Sequence, residues 1–136
     1  MRHRILLGLP LVFGLFMTAP ASAHHTFSIE YDAKKCLDMK GTLTKLDWEN
    51  PHVYFHVDVT DANNQVTSWS FESVSVAYLK RGGVVRQDFL DNIGKVVTVR
   101  ACLGKLPDLK RAAAETVTMP DGRTLKVGSD YEHGQN

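Results

Sequence analysis

Alternation of apolar and polar residues over short stretches is the clearest pattern in this chain. It occurs in residues 42–49, 52–59 and 66–72, with turn-forming residues at 61–64 between the second and third stretches. A period of two is typical of half-buried strands, because successive side chains of a strand point to opposite faces. The pattern therefore predicts three antiparallel strands joined by short turns.

The period changes after the third predicted strand. Apolar residues at helical spacing, with Ser73 as a candidate cap and two glycines as a stop, predict one short helix over 74–81. Alternation returns in residues 95–103 and, more weakly, in 112–119. A tight turn then leads to a last short strand at 123–127.

This order of elements is typical of a mainly β fold. We expect a small OB-like antiparallel β-barrel of five to six strands, with the short helix between strands three and four closing one end. An open β-sandwich of the same strands is the alternative. Four aromatic residues are expected in the core rather than on a stacking surface: Trp48, Phe55, Trp69 and Phe71.

The first residues have the three parts of a secretory signal. Two arginines, Arg2 and Arg4, precede an apolar run, and small residues end at Ala23. The run is broken by Pro10 and is shorter than the ~20 residues that a membrane span needs. We therefore expect a periplasmic or secreted protein with no membrane span after cleavage.

The pattern predicts four segments. These are a cleaved signal peptide at 1–23, an N-terminal arm at 24–36, the OB-like domain at 37–128 and a polar tail at 129–136. Within the arm, residues 26–35 show no clear period and are expected to be extended or irregular. The part that remains after cleavage is long enough for one domain with one core.

The charge of the chain argues against a nucleic-acid partner. There are 16 Lys and Arg against 15 Asp and Glu, and removal of Arg2 and Arg4 with the leader leaves a net charge of about −1. Proteins that bind phosphate backbones normally carry a basic excess.

Cys36 and Cys102 are the only cysteines. An exported protein meets an oxidising compartment, and the first and fourth strands of an OB-like barrel are neighbours, so a disulfide is the favoured interpretation. A bridge over so long a loop contributes about 4 kcal/mol in the chain-entropy model. A redox-active or metal-binding pair is the weaker alternative, because no Cys-x-x-Cys motif is present.

The chain resembles a family of small secreted bacterial proteins known only as domain of unknown function 6152. The resemblance rests on HHTF at 24–27, GTLTKLDWENPHVYFHVDV at 41–59, SWSFE at 68–72 and VTMPDGRTLKVGS at 117–129. It implies an exported location and a shared β domain, but no reaction. The two cysteines and the GKLPDLKR loop depart from the pattern of the family.

The histidines at the expected new N-terminus are the strongest chemical signal. Cleavage after Ala23 would leave the amine and imidazole of His24 on one residue, with His25 beside it. Such a pair chelates copper, zinc or nickel near neutral pH, and resembles one half of a copper histidine brace. His52 follows a turn and is the expected partner ligand, with Asn50 and Tyr54 as neighbours, whereas His56 lies roughly 13 Å further along the strand.

The alternative is that His24 and His25 form a solvated terminus, and that His52 only caps the hairpin or bonds to Asn50. His133 is expected in the solvated tail, and strand carboxylates such as Asp47 on a solvated surface. No hydrolase, metalloprotease or nucleotide-binding motif is present, so an enzyme is not favoured.

Three functions remain open at this stage. The first is an envelope module that binds copper, or zinc, through His24, His25 and His52. The second is a protein-interaction or structural domain of the periplasm that meets an envelope protein without a metal. The third is a small copper enzyme, which would need the same metal and an open coordination position.

Overall fold

Six β-strands and a few short helices make up residues 26–129, the part of the chain that this computed structural model describes. The elements in chain order are α1 (Thr26–Glu30), β1 (Tyr31–Asp47), β2 (Tyr54–Thr60), β3 (Val66–Glu72), α2 (Val76–Arg81), α3 (Arg86–Leu90), β4 (Val96–Gly104), a short 3-10 helix (Pro107–Leu109), β5 (Arg111–Thr118) and β6 (Thr124–Lys126). The mainly β prediction is confirmed, and the chain has several short helices where the pattern predicted one.

The six strands form one sheet in the order β3-β2-β1-β4-β5-β6, and neighbours in this order are antiparallel. Long strand β1 pairs with β4 through its first part and with β2 through its last part, and Thr42 has a partner in both. In addition, Ser70 to Glu72 of β3 pair in parallel with Arg111 to Ala113 of β5. Each of β1 to β5 therefore has at least two strand partners.

The expectation that residues 26–35 are extended or irregular is met at 31–35, which are extended, and is wrong at 26–30, which are helical. Thr26–Glu30 forms α1, and β1 begins directly after it at Tyr31, whose side chain is buried and which pairs with Gly104. Residues 32–35 are mostly exposed on both sides of the strand. A strand without a buried face carries no alternation, which is why the sequence pattern did not indicate it.

The core lies on one face of the sheet and uses the alternating positions that the sequence marks. Phe55 and Phe71 are fully buried and stack at 5.4 Å between ring centroids, and Trp48 and Trp69 pack against the same core. The other fully buried large side chains are Leu43, Val53, Val57, Leu79, Phe89, Val97, Val99, Val117 and Val127. The expectation that the four aromatic residues belong to the core is confirmed.

The connection from β3 to α2 differs in detail from the prediction. Ser75, rather than Ser73, caps α2, because its Oγ accepts a hydrogen bond from the Tyr78 backbone. The buried Ser73 hydroxyl instead donates to the Val127 carbonyl at 2.6 Å. This bond joins the end of β3 to the last part of the chain that the structure describes.

Among residues 26–129, no helix combines the length and the apolar composition needed to cross a membrane.

Candidate functional site

His52 lies between a turn and the first residue of β2. The following residue, Val53, is fully buried and is fixed through its backbone, which donates to the Val74 carbonyl at 3.1 Å and accepts from the Ser73 amide at 2.8 Å. Neighbouring side chains of an extended chain point to opposite sides. Burial of Val53 therefore turns the imidazole of His52 away from the core, where 44% of the side chain is exposed.

Glu72 holds this imidazole from the end of β3. Its Oε1 is within hydrogen-bonding distance of His52 Nδ1. Its Oε2 accepts one hydrogen bond from the Tyr31 hydroxyl at 2.5 Å and another from Arg111 Nη2 at 3.0 Å. Only 14% of the Glu72 side chain is exposed, so the carboxylate is both anchored and shielded from water.

The hydrogen bonds around Glu72 define the tautomer of His52. A carboxylate accepts hydrogen bonds and does not donate them, so the proton in the contact belongs to His52 Nδ1. In the neutral imidazole the other ring nitrogen, Nε2, then carries a lone pair. Metal-binding histidines are commonly oriented by a carboxylate in this way.

Electrostatic effects are strong on the residues that surround Glu72. Burial, the hydrogen bond to Glu72 and the negative charge of Glu72 together raise the pKa of Tyr31 far above its ordinary value. Burial and Glu72 also raise the pKa of Tyr54, which faces Glu72 across the β2–β3 pair. Burial alone would lower the pKa of Arg111, but Tyr31 and Glu72 outweigh it and raise this pKa.

A cleft of about 270 Å³ opens beside this group of side chains. Phe27 of α1, Tyr31 of β1, Tyr78 of α2 and the pair His52 and Glu72 all contribute to its wall. The rings of Phe27 and Tyr31 are in contact, with centroids 5.5 Å apart. The N-terminal end of the described chain therefore lies at the same cleft as His52.

A second histidine and carboxylate pair joins β2 to β1. His56 Nε2 is 3.1 Å from Asp47 Oδ2, and Asp47 also accepts from Lys45 Nζ at 2.9 Å. The hydrogen bond from Lys45 is the main cause that lowers the pKa of Asp47; burial opposes it, and the hydrogen bond with His56 adds to the lowering. His56 thus has its own partner and does not contribute to the wall of the cleft.

Cys36 and Cys102 form a disulfide, as the sequence predicts. They are directly paired residues of β1 and β4, so the bridge joins two strands that are already neighbours. Cys102 is fully buried, and Cys36 is partly exposed.

The sequence-predicted site residues fall into three groups. The structure brings His52 and Tyr54 to the same carboxylate, that of Glu72. Asn50 has a different role, because its side-chain oxygen accepts from the Val76 backbone at 3.2 Å at the start of α2. His24 and His25, and the tail residue His133, lie outside the described residues.

Sequence reasoning missed three residues, Glu72, Tyr31 and Arg111. A signal for Glu72 was present, because pairing of the second and third strands around the turn at 61–64 sets Glu72 opposite Tyr54. Tyr31 and Arg111 had no such signal. They reach Glu72 only through the long course of β1 and the parallel pairing of β3 with β5.

These features define a small, mainly antiparallel β protein with a carboxylate-oriented histidine at the edge of a cleft. The sequence profile of the family of unknown function DUF6152 matches residues 14–112. The match covers more than half of the chain, so the chain belongs to this family. No curated protein and no solved structure matches the chain.

Proposed function

We propose that this protein is an exported binding module of the cell envelope that holds a transition metal ion, copper or alternatively zinc. His52 supplies one imidazole ligand from the domain, and the N-terminal residues His24 and His25 supply the others. The proposal includes removal of residues 1–23, which frees the amine of His24 as an additional ligand.

The orientation of His52 by Glu72 is the observation that carries this proposal. A histidine that is only solvated at a turn is free to rotate. His52 is instead fixed by a carboxylate that Tyr31 and Arg111 hold in place. A partly exposed imidazole whose Nδ1 is bound to a carboxylate is organised as a metal ligand before the metal arrives. Copper and zinc both accept such nitrogen ligands.

The length of the chain supports the participation of the N-terminal histidines. Phe27 lies in the wall of the cleft that also contains His52. His25 is two residues before Phe27 and His24 three, so their Cα atoms are within roughly 7 Å and 11 Å of the Cα of Phe27. Both histidines are therefore within range of the cleft without any rearrangement of the sheet.

An OB-like barrel is the proposed frame for this site. Its support is the set of strand pairings, in which β1 contacts β2, β2 contacts β3, β3 contacts β5, β5 contacts β4 and β4 contacts β1. Helix α2 follows β3 in the chain and its Tyr78 borders the cleft. In this arrangement the rim of the barrel carries the site, as in other small binding barrels.

Titration with Cu(II) tests the proposal. Isothermal calorimetry would compare protein that begins at His24 with its His24→Ala, His52→Ala and His56→Ala variants. We expect one tight site in the parent, a loss of about a hundredfold or more in affinity for the first two variants, and no change for His56→Ala. The His56 variant is the matched control, because it also removes an imidazole beside a carboxylate.

Equal affinity in the parent and the His52→Ala variant would contradict the metal proposal. Capture of the same envelope protein with and without a chelator would then favour a metal-free interaction domain.

The end of the described sheet is poorly suited to pairing with a strand of a partner protein. Edge strand β6 has only three residues and carries the exposed Lys126.

A further inference from the structure

A second group of side chains with metal-binding chemistry lies on β1, β4 and β5. One sulfur each from Cys36 and Cys102 and one carboxylate oxygen of Glu115 are all within 4.8 Å of one another. This group does not share a residue with the His24, His25 and His52 site. Glu115 also contributes to the wall of the cleft.

A β-bulge explains why Glu115 points to the disulfide. In the β4–β5 pairing, Arg100 is opposite Thr116 and Ala101 is opposite Ala114, so Glu115 is the extra residue of β5. Its carbonyl accepts hydrogen bonds from the Val127 and Gly128 amides, each at 2.9 Å, which fixes the backbone of the bulge. Bulges re-aim a side chain relative to the regular strand, and here the carboxylate reaches the sulfur of Cys102.

We infer that reduction of this disulfide creates a site for a zinc-like divalent ion. A dithiol reductant gives two electrons and two protons to the disulfide, and is itself oxidised to a disulfide, leaving Cys36 and Cys102 as thiols. The ion then displaces both thiol protons and binds the two thiolates and the carboxylate of Glu115. Water completes a tetrahedral shell.

The distance between Cys102 and Glu115 already fits this chemistry. Sγ of Cys102 is 3.5 Å from Oε1 of Glu115. Two ligands of a tetrahedral zinc ion, with Zn–S of about 2.3 Å and Zn–O of about 2.1 Å, are separated by about 3.6 Å. The two sulfurs have to separate to about 3.8 Å. Because the Cα atoms of Cys36 and Cys102 are 3.8 Å apart, this separation requires rotation of the partly exposed Cys36 side chain.

Arg100 completes the arrangement by holding the other oxygen of the carboxylate. Its Nε is 3.5 Å from Glu115 Oε2, which leaves Oε1 directed at the sulfurs. This ion pair orients the carboxylate. The disulfide and the metal-bound dithiolate are therefore two alternative states of the same three residues.

Optical titration with Co(II), a spectroscopic substitute for zinc, tests this inference. The whole exported chain would be used in three forms: oxidised, reduced by a phosphine, and reduced with Glu115→Gln. We expect an intense thiolate-to-cobalt charge-transfer band at one equivalent in the reduced parent and no such band in the oxidised protein. The Glu115→Gln variant keeps both cysteines and should bind about tenfold more weakly.

His52→Ala is the control that separates this site from the proposed function, since it should leave the charge-transfer band unchanged. Circular dichroism of each sample reports whether the sheet is intact. Absence of the band from the reduced parent would overturn the inference. Equal Co(II) affinity in the parent and the Glu115→Gln variant, or binding only after loss of the sheet signal, would overturn it as well.

Discussion

Two histidine and carboxylate pairs at β2 differ in how the carboxylate is held: His52 is paired with the end of β3, and His56 with the end of β1. His52 contacts Glu72, whose side chain is 14% exposed and whose second oxygen is held by Tyr31 and Arg111. His56 contacts Asp47, whose side chain is 29% exposed and whose other partner is the flexible, solvent-exposed Lys45. His56 is itself less exposed than His52, at 26% against 44%, so the pairs differ in how firmly the carboxylate is held and not in the burial of the imidazole.

The two pairs also differ in which ring nitrogen is used. His52 contacts its carboxylate through Nδ1, whereas His56 contacts its carboxylate through Nε2. Because each carboxylate accepts a proton-bearing nitrogen, the two neutral imidazoles have opposite tautomers. The difference teaches that the carboxylate beside a histidine can be held by further side chains of the domain, as Glu72 is, or by one exposed lysine, as Asp47 is.

Removal of each carboxylate in turn should give the largest difference between the two pairs. Glu72→Ala leaves His52, Tyr31 and Arg111 without their shared acceptor, so we expect the free energy of unfolding to fall by about 3 kcal/mol. Asp47→Ala removes an exposed contact and should cost about 0.5 kcal/mol. Urea unfolding followed by tryptophan fluorescence measures both losses. Equal losses of unfolding free energy would show that the Glu72 network stabilises the protein no more than the Asp47 contact does.

A smaller effect is expected from pH at the exposed pair. The pKa of Asp47 is lowered in the folded protein, so its stabilising contribution is present above the unfolded pKa of about 3.9 and is lost as pH falls through the folded value. The parent should exceed Asp47→Asn by about 0.5 kcal/mol at pH 6 and by nothing near pH 2. Urea unfolding over this pH range gives the difference.

Lys45→Gln is the matched variant for this pH test, because the hydrogen bond from Lys45 is the first cause of the lowered pKa. It should remove most of the advantage of the parent over Asp47→Asn. An advantage that grows as the pH falls would have the wrong sign and would refute the assignment.

The hairpin of β2 and β3 shows how much of this protein the sequence predicts. Alternation correctly marked Phe55 and Phe71 as buried and left His52, Tyr54 and Glu72 on the other side. The disulfide followed from the expected neighbourhood of the first and fourth strands. These features depend on local pattern or on pairs of adjacent strands, which is why sequence could indicate them.

The rest of the site depends on contacts that no local pattern encodes. Tyr31 begins a strand with mostly exposed residues on both faces, and Arg111 meets Glu72 through a parallel pairing of only three residues in each strand. The bulge at Glu115 is likewise a feature of strand register. A single sequence gives no periodic signal for such long-range contacts.

Nitrogen NMR of the histidine rings tests the central claim most directly. Protein labelled with ¹⁵N in its imidazoles, with His52→Gln and His56→Gln used for assignment, would be measured before and after addition of Zn(II). We predict a proton on Nδ1 of His52 and on Nε2 of His56, and a zinc-dependent shift of Nε2 in His52 that is absent from His56. A proton on Nε2 of His52, or a His52 signal that zinc leaves unchanged, would contradict the account.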